Sequence, residues 1–279
     1  MRRGGFALMF SPAEFINNYA AAGGAKTKAP TARLLLLAVL AGLFIAVGAA
    51  ASNTAAHGVD NVSAARVICG LLFPFGLIMV ILTGAELFTG NCLIPISVLS
   101  GRATVGGMAR NLAVVYIGNF IGAAALAACC AFFGQLDYSA GGLAVYTIRL
   151  AAGKCALPFG KALVMGILCN VLVCTAVVCA LCAKDVAGRA AGAFVPVAAF
   201  VICGFEHCVA NMYYVPAGLF ALSVPRYAQL AQAAGVDVSA LTWGNFLLGN
   251  LVPVTLGNLI GGMALAALLW AAHGKKEEK

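Results

Sequence analysis

Two eight-residue stretches set acids, amides and an imidazole in strongly apolar surroundings: "GAELFTGN" at residues 84–91 and "GFEHCVAN" at residues 204–211. Both read G-x-E-x-x-x-x-N, supplying Glu86 with Asn91 and Glu206 with Asn211, and the second adds His207. A carboxylate accepts hydrogen bonds, an amide both gives and accepts them, and an imidazole exchanges a proton near neutral pH. An acid at the centre of a membrane helix costs ~2.5–3.5 kcal/mol on insertion scales. Glu86 and Glu206 are therefore expected to hold backbone or meet a ligand. A lone histidine is ordinarily structural, but His207 beside an acid at mid-depth is a functional candidate. Two asparagine pairs follow the same logic. Asn111 and Asn119 lie eight apart, as do Asn250 and Asn258, and the second of each pair sits in "GNFIGA" or "GNLIGG". Plain helix–helix hydrogen bonding, worth ~0.6 kcal/mol in membranes, is the simplest reading of these four.

The elements that carry these residues follow from composition. The chain has 279 residues, 63% hydrophobic and 9% charged, where a soluble domain carries about a quarter charged. This is an all-α, polytopic membrane protein, since only helices and closed barrels satisfy their backbone in lipid. Six spans are expected, at about 33–51, 67–100, 111–133, 157–182, 193–222 and 243–272, because a span needs ~20 apolar residues. The shared motifs relate spans one to three to spans four to six. Three spans is an odd number, so the halves enter from opposite sides as an inverted 3+3 repeat. Spans two and five are too long for one unbroken crossing, and each is expected to be two half-helices. The links are expected at residues 87–91 and 206–208, held by Glu86, Asn91, Glu206 and Asn211. The N-terminus of a half-helix favours an anion.

The N-terminal segment, 1–32, is not expected to be a signal peptide, because "GGFALMF" after Arg2 and Arg3 is too short an apolar core. "SPAE" at 11–14 reads as a helix start with Ser11 as cap, Pro12 in the first turn and Glu14 closing a capping box. A short interfacial helix is expected there. Residues 33–272 form the membrane domain and 273–279 a charged tail. Arg2, Arg3, Lys26, Lys28, Arg33, Arg102, Arg110, Lys184, Arg189, Lys275, Lys276 and Lys279 fall on one side. Arg66, Arg149, Lys154 and Arg226 fall on the other, with Lys161 near the start of span four assigned there too. That asymmetry puts both termini in the cytoplasm. The net charge of +8 is scattered between spans, which argues against nucleic acid as a partner. Eleven cysteines lie mostly inside spans. "CALC" at 179–182 has no second pair or nearby histidine to complete a zinc set, so no metal or cofactor is expected.

"GAELFTGN", "GFEHCVANM" and "NFLLGNLVPVTLGNLIGG" together resemble the formate/nitrite transporter family, and the likeness runs from "SPAEF" to the sixth span. The resemblance implies an aquaporin-like six-helix fold, a homopentamer with one pore per protomer, and a bacterial-type inner membrane. It implies small monovalent anions as substrates: formate, nitrite or, in one branch, hydrosulfide. His207 matches the family's central pore histidine, Thr89 the threonine of the span-two loop, Lys154 the vestibule lysine and Asn170 the asparagine of span four. Matching constriction positions are Phe73, Phe88 and Val173 on the outer side, and Leu77 and Phe200 on the inner side. Proton-linked passage of the anion as its neutral acid is the implied mechanism, because a bare anion loses its hydration in an apolar constriction. A neutral-solute channel shares the broken-helix plan, but no Asn-Pro-Ala tripeptide occurs in the chain. A membrane redox enzyme would need a metal or cofactor set that the sequence lacks.

Overall fold

The structure is a computed structural model and describes residues 9–274. Arg2, Arg3, Lys275, Lys276 and Lys279, which contribute to the charge asymmetry, lie outside the described residues. Among the described residues the fold is helical, with a single isolated β-bridge between Met9 and Ala183.

Helix α1 (Pro12–Lys28) starts at the expected capping box. The Ser11 backbone N–H and hydroxyl donate to Glu14 Oε2 at 2.7 and 2.8 Å, and the Glu14 N–H donates back to Ser11 Oγ at 3.3 Å. Those bonds, the backbone one first, hold the Glu14 carboxyl below its ordinary range. The box is therefore intact at neutral pH and loosens as pH falls through that lowered value. The helix expected at 11–14 is present, and one face of it is covered by the bundle. Phe15, Ile16 and Tyr19 are buried, and α1 packs under the bundle against later helices.

Among the described residues six helical stretches are long and apolar enough to cross a membrane. They are α2 (Thr31–Ala56), Val62–Thr83, which comprises α3 (Val62–Leu72) and α4 (Phe75–Thr83), α7 (Val105–Phe132), α9 (Phe159–Cys182), α10 (Val186–Cys203) and Asn245–His273. Pro74 explains the joint between α3 and α4, since it has no N–H and its ring clashes with the preceding turn. The last stretch opens with a π-helical turn, Asn245–Leu251, before α13 (Val252–His273). Shorter helices complete the chain: α5 (Phe88–Asn91), α6 (Pro95–Leu99), α8 (Gly142–Cys155), α11 (Cys208–Ser223) and α12 (Pro225–Ala233).

The two broken spans fail in the same way. α4 ends at Gly84 with φ +69° and α10 at Gly204 with φ +72°, a left-handed conformation that costs glycine nothing. Ala85 N–H then bonds Val80 O and Phe205 N–H bonds Phe200 O, the long bond of a Schellman motif. The irregular links are residues 84–87 and 204–207, a little earlier than the expected 87–91 and 206–208. The glycine stops each first half-helix, and side-chain caps start α5 and α11 at once. The repeat pairs α1 with α8, α2 with α9, α7 with α13, and α5 with α11. Within each half the closest packing joins α2 to α7 and α9 to α13. Glycines allow it: a Cβ at Gly122 would run into the Val39 carbonyl, and one at Gly261 into the Ile167 carbonyl.

Candidate functional site

Each break is wrapped in the same polar cage. In the first half, Asn119 Nδ2 donates to the Ala38 and Glu86 carbonyls at 2.7 and 2.9 Å, and Asn119 Oδ1 accepts the Phe88 N–H at 2.9 Å. In the second, Asn258 Nδ2 donates to the Gly166 and Glu206 carbonyls at 2.8 and 3.0 Å, and Asn258 Oδ1 accepts the Cys208 N–H at 2.9 Å. One amide thus satisfies the last free carbonyl and the first free N–H at each link, as buried backbone requires. Asn119 and Asn258 serve the breaks themselves and are more than helix-to-helix glue.

The carboxylates sit in a second duplicated cluster. Lys26 Nζ donates to Glu86 Oε2 and Asn91 Oδ1, both at 3.0 Å, and Asn91 Nδ2 donates to Glu86 Oε2 at 2.7 Å and Asn111 Oδ1 at 2.9 Å. Across the pseudo-twofold, Lys154 Nζ donates to Glu206 Oε1 and Oε2 at 2.9 and 3.0 Å. Asn211 Nδ2 there donates to Glu206 Oε2 at 2.7 Å and Asn250 Oδ1 at 2.8 Å. Asn111 and Asn250 close the clusters by donating to the carbonyls of Lys26 and Lys154. The expectation that Glu86 and Glu206 accept backbone N–H bonds is not met. Their oxygens are taken by lysine and asparagine side chains, while their own N–H groups go to Leu37 O and Met165 O.

Lys26 is the site residue that sequence reasoning missed. In the sequence it reads only as a topology charge, yet it occupies the place in α1 that Lys154 has in α8. The signal was present: "KTKAP" at 26–30 and "KCALP" at 154–158 each put a lysine four residues before the proline that precedes a span. The repeat therefore begins with the helices ahead of spans one and four.

The polar pair at the waist is not duplicated. His207 in the second link corresponds to Leu87 in the first, and Thr89 corresponds to Val209. His207 Nδ1 accepts the Ala210 N–H at 3.0 Å, capping α11, and Nε2 lies 2.8 Å from Thr89 Oγ1. Because Nδ1 is an acceptor, the neutral ring carries its proton on Nε2 and donates it to Thr89. The Thr89 hydroxyl proton is then free for another acceptor. His207 is 3% exposed, and its ring stacks at 5.9 Å on Phe200, which meets Phe73 edge-on at 5.7 Å.

Two cavities flank this waist. One of about 480 Å³ is lined by Lys154, Glu206, His207, Phe73 and Phe200 among others. The other, about 310 Å³, is lined by Lys26, Glu86, Leu77, Val80 and Leu87 among others. Phe200 therefore shares a cavity with Phe73, not with Leu77, which corrects its expected side. Phe88 packs on Tyr116 at 4.8 Å, and Val173 is buried; neither is in the lining of these two cavities. Asn170 is also buried, donating to the Asn258 carbonyl at 2.6 Å, and so ties α9 to α13. Among the described residues no group of histidine, cysteine and carboxylate side chains is placed to hold a metal, and the cysteines are free thiols.

Six apolar spans in an inverted repeat, with two broken helices meeting at a polar waist between two cavities, define an aquaporin-like helical membrane channel fold. The comparisons narrow that class. A sequence profile described as "Formate/nitrite transporter" matches residues 13–272. The chain is 33% identical over 285 residues to the "Probable formate transporter" of Methanothermobacter thermautotrophicus, covering 95% of this chain and 98% of that protein. It is 35% identical over 248 residues to "Formate channel FocA" of Escherichia coli K12, covering 88% and 87%. A solved "Pentameric formate channel with formate bound" superposes with a TM-score of 0.78 at 30% identity, covering 88% of this chain and 98% of that one. An "FNT family ion channel" superposes with a TM-score of 0.81 at 25% identity, covering 93% and 98%. The chain belongs to the formate/nitrite transporter family, and these relatives are channels and transporters, not enzymes.

Proposed function

We propose that this protein moves small monovalent weak-acid anions across the membrane, formate first among them, through a pore that crosses the His207–Thr89 waist. The observation that carries this reading is the duplicated Lys–Glu–Asn cluster on either side of one imidazole. Lys154 with Glu206 marks one mouth and Lys26 with Glu86 the other. Between them the path narrows at Phe73, Phe200 and Leu77, where shedding the hydration of a bare anion is costly. In this reading the lysines draw the anion in, and low dielectric raises its basicity. The Thr89 hydroxyl, oriented by the Nε2–H of His207, donates to the anion at the waist. A proton from the bulk, relayed by water in the mouth or by His207 after it has taken that proton, completes the neutral acid. An imidazolium at His207 must give up its bond from the Ala210 N–H, so charging the ring releases the cap of α11.

Nitrite and hydrosulfide share the monovalent, weak-acid chemistry and belong in the same assay. Five copies assemble in this reading, each with its own pore, as in the pentameric relative. Both termini face the cytoplasm of a bacterial-type inner membrane, so the Lys154 mouth is outer and the Lys26 mouth inner. The test is His207→Asn in proteoliposomes, with formate, nitrite and hydrosulfide compared at two pH values. The pH dependence and the balance between anion and acid should both change. Wild-type pH dependence in the variant would overturn the role of His207, and no uptake of any of the three by the wild type would overturn the function.

A further inference from the structure

The waist accounts for Lys154 but not for the rest of the charge around its cavity. Arg66, Arg149 and Lys161 also line it, while Glu206 is the one carboxylate in the lining and is already held by Lys154. The mouth thus carries a net +3. Among the described residues Arg66, Arg149 and Lys161 form no salt bridge, and the only ion pairs are Lys26–Glu86, Lys154–Glu206 and Arg226–Asp137. Arg66 reaches the second break. Its guanidinium lies over Gly204 at the break, within 3.2–3.4 Å of where a Cβ would stand. A second observation is independent of charge. Asn53, 3% exposed, lines the same cavity, and its buried Nδ2 has no hydrogen-bond partner among the described residues. A buried amide donor without an acceptor is costly and points to an acceptor supplied from outside the fold.

We propose that this cavity is a binding site for a small doubly charged oxyanion that enters the mouth and does not pass the waist. Arg66 and Arg149 supply planar N–H donors suited to oxyanion geometry. Asn53 adds an unpaired amide donor just behind the wall, which a small side-chain turn brings to the ligand. Coulomb attraction scales with ligand charge, and a cleft lined by one sign of charge focuses its field, so a dianion is held in preference to a monovalent substrate. The volume of about 480 Å³ admits a small oxyanion with some of its water. Passage is denied because a single proton leaves a dianion still charged at the Phe73–Phe200 constriction. The site rests on the transport reading only for its consequence, which is that an outside dianion competes with the substrate for the mouth.

Sulfate is the probe, since it stays divalent across the neutral range. Equilibrium binding of labelled sulfate to the purified full chain, at constant ionic strength, measures the site without any transport. Wild type should bind saturably, Arg66→Gln/Arg149→Gln should bind about tenfold or more weakly, and Arg66→Lys/Arg149→Lys should restore much of the affinity. Arg149→Gln alone, at an exposed position, should weaken binding several-fold if the double variant does not fold. No saturable binding by wild type, or unchanged binding in Arg149→Gln, overturns the site. Sulfate binding by a chain that moves no formate would keep this site and sink the transport reading. Formate uptake without sulfate binding would do the reverse.

Discussion

At the scale of single residues, the waist turns on which nitrogen of His207 is an acceptor. The Ala210 N–H occupies Nδ1, so Nε2 donates to Thr89, and the Thr89 hydroxyl points its proton elsewhere. Thr89→Val should therefore cut uptake by about 10–100-fold, the worth of one hydrogen bond to a charged group, while Thr89→Ser should keep most of it. Initial uptake rates in proteoliposomes measure both. The lysines make a different prediction. The Lys154 side chain is 13% exposed and that of Glu206 8%, whereas Lys26 is 28% exposed. Removing one partner of a buried pair leaves an uncompensated charge and costs about 3–5 kcal/mol. Lys154→Ala should lower the melting temperature of the purified protein clearly, and Lys154→Ala/Glu206→Gln should recover part of the loss. Lys26→Ala should cost less, because water already reaches it. Equal melting temperatures for Lys154→Ala and the double variant would mean that the pair is not the source of the effect.

At the scale of elements, each broken span is stopped by a glycine and restarted by a neighbour's amide. Gly84 and Gly204 end the first half-helices, and Asn119 and Asn258 begin the second. Asn258→Ala strands the Cys208 N–H and the Glu206 carbonyl together. Each buried orphan costs about 1–3 kcal/mol, so this variant should be strongly destabilised in thermal unfolding, with Asn119→Ala similar. The packing of α9 on α13 has its own sensitivity. Gly261→Ala pushes a Cβ into the Ile167 carbonyl, and overpacking of this kind costs about 1–3 kcal/mol. Its repeat-mate Gly122→Ala should behave alike, because the Val39 carbonyl is as close. A variant at either glycine that melts with the wild type would show that the paired helices can separate freely.

At the scale of the whole molecule, the inverted repeat explains why the polar clusters come in twos. One half supplies Lys26, Glu86, Asn91 and Asn111, the other Lys154, Glu206, Asn211 and Asn250, and they face opposite cavities. Duplication sets a charged cluster at each cavity, and His207 in place of Leu87 together with Thr89 in place of Val209 makes the polar waist single. Many large apolar side chains stay exposed on the isolated chain, Leu40, Ile117, Leu248 and Leu268 among them. Lipid and neighbouring copies are the natural cover for such a surface. Native mass measurement of the purified protein should give five chains per particle, and a monomer retaining full activity would remove the pentamer from the proposal. Reporter fusions at both ends should report the cytoplasm; an outside signal from either would reverse the two mouths.

The sequence by itself determined the class, the span count, the inverted repeat and the motifs that mark the breaks. Those properties are local or periodic: apolar runs of crossing length, G-x-E-x-x-x-x-N twice, and two asparagines eight apart after each. It also placed Ser11, Pro12 and Glu14 in a capping box, which needs only three neighbouring residues. Only the tertiary structure decided what those groups touch. Lys26 lies 60 residues from Glu86, and Thr89 lies 118 from His207, so no spacing rule joins them. Phe200 went to the cavity of Phe73 because its ring stacks on His207 and meets Phe73 edge-on, a contact between two different spans. The links sit at 84–87 and 204–207 because distant amides on α7 and α13 cap the restarting helices, and that is a long-range hydrogen bond no local pattern contains.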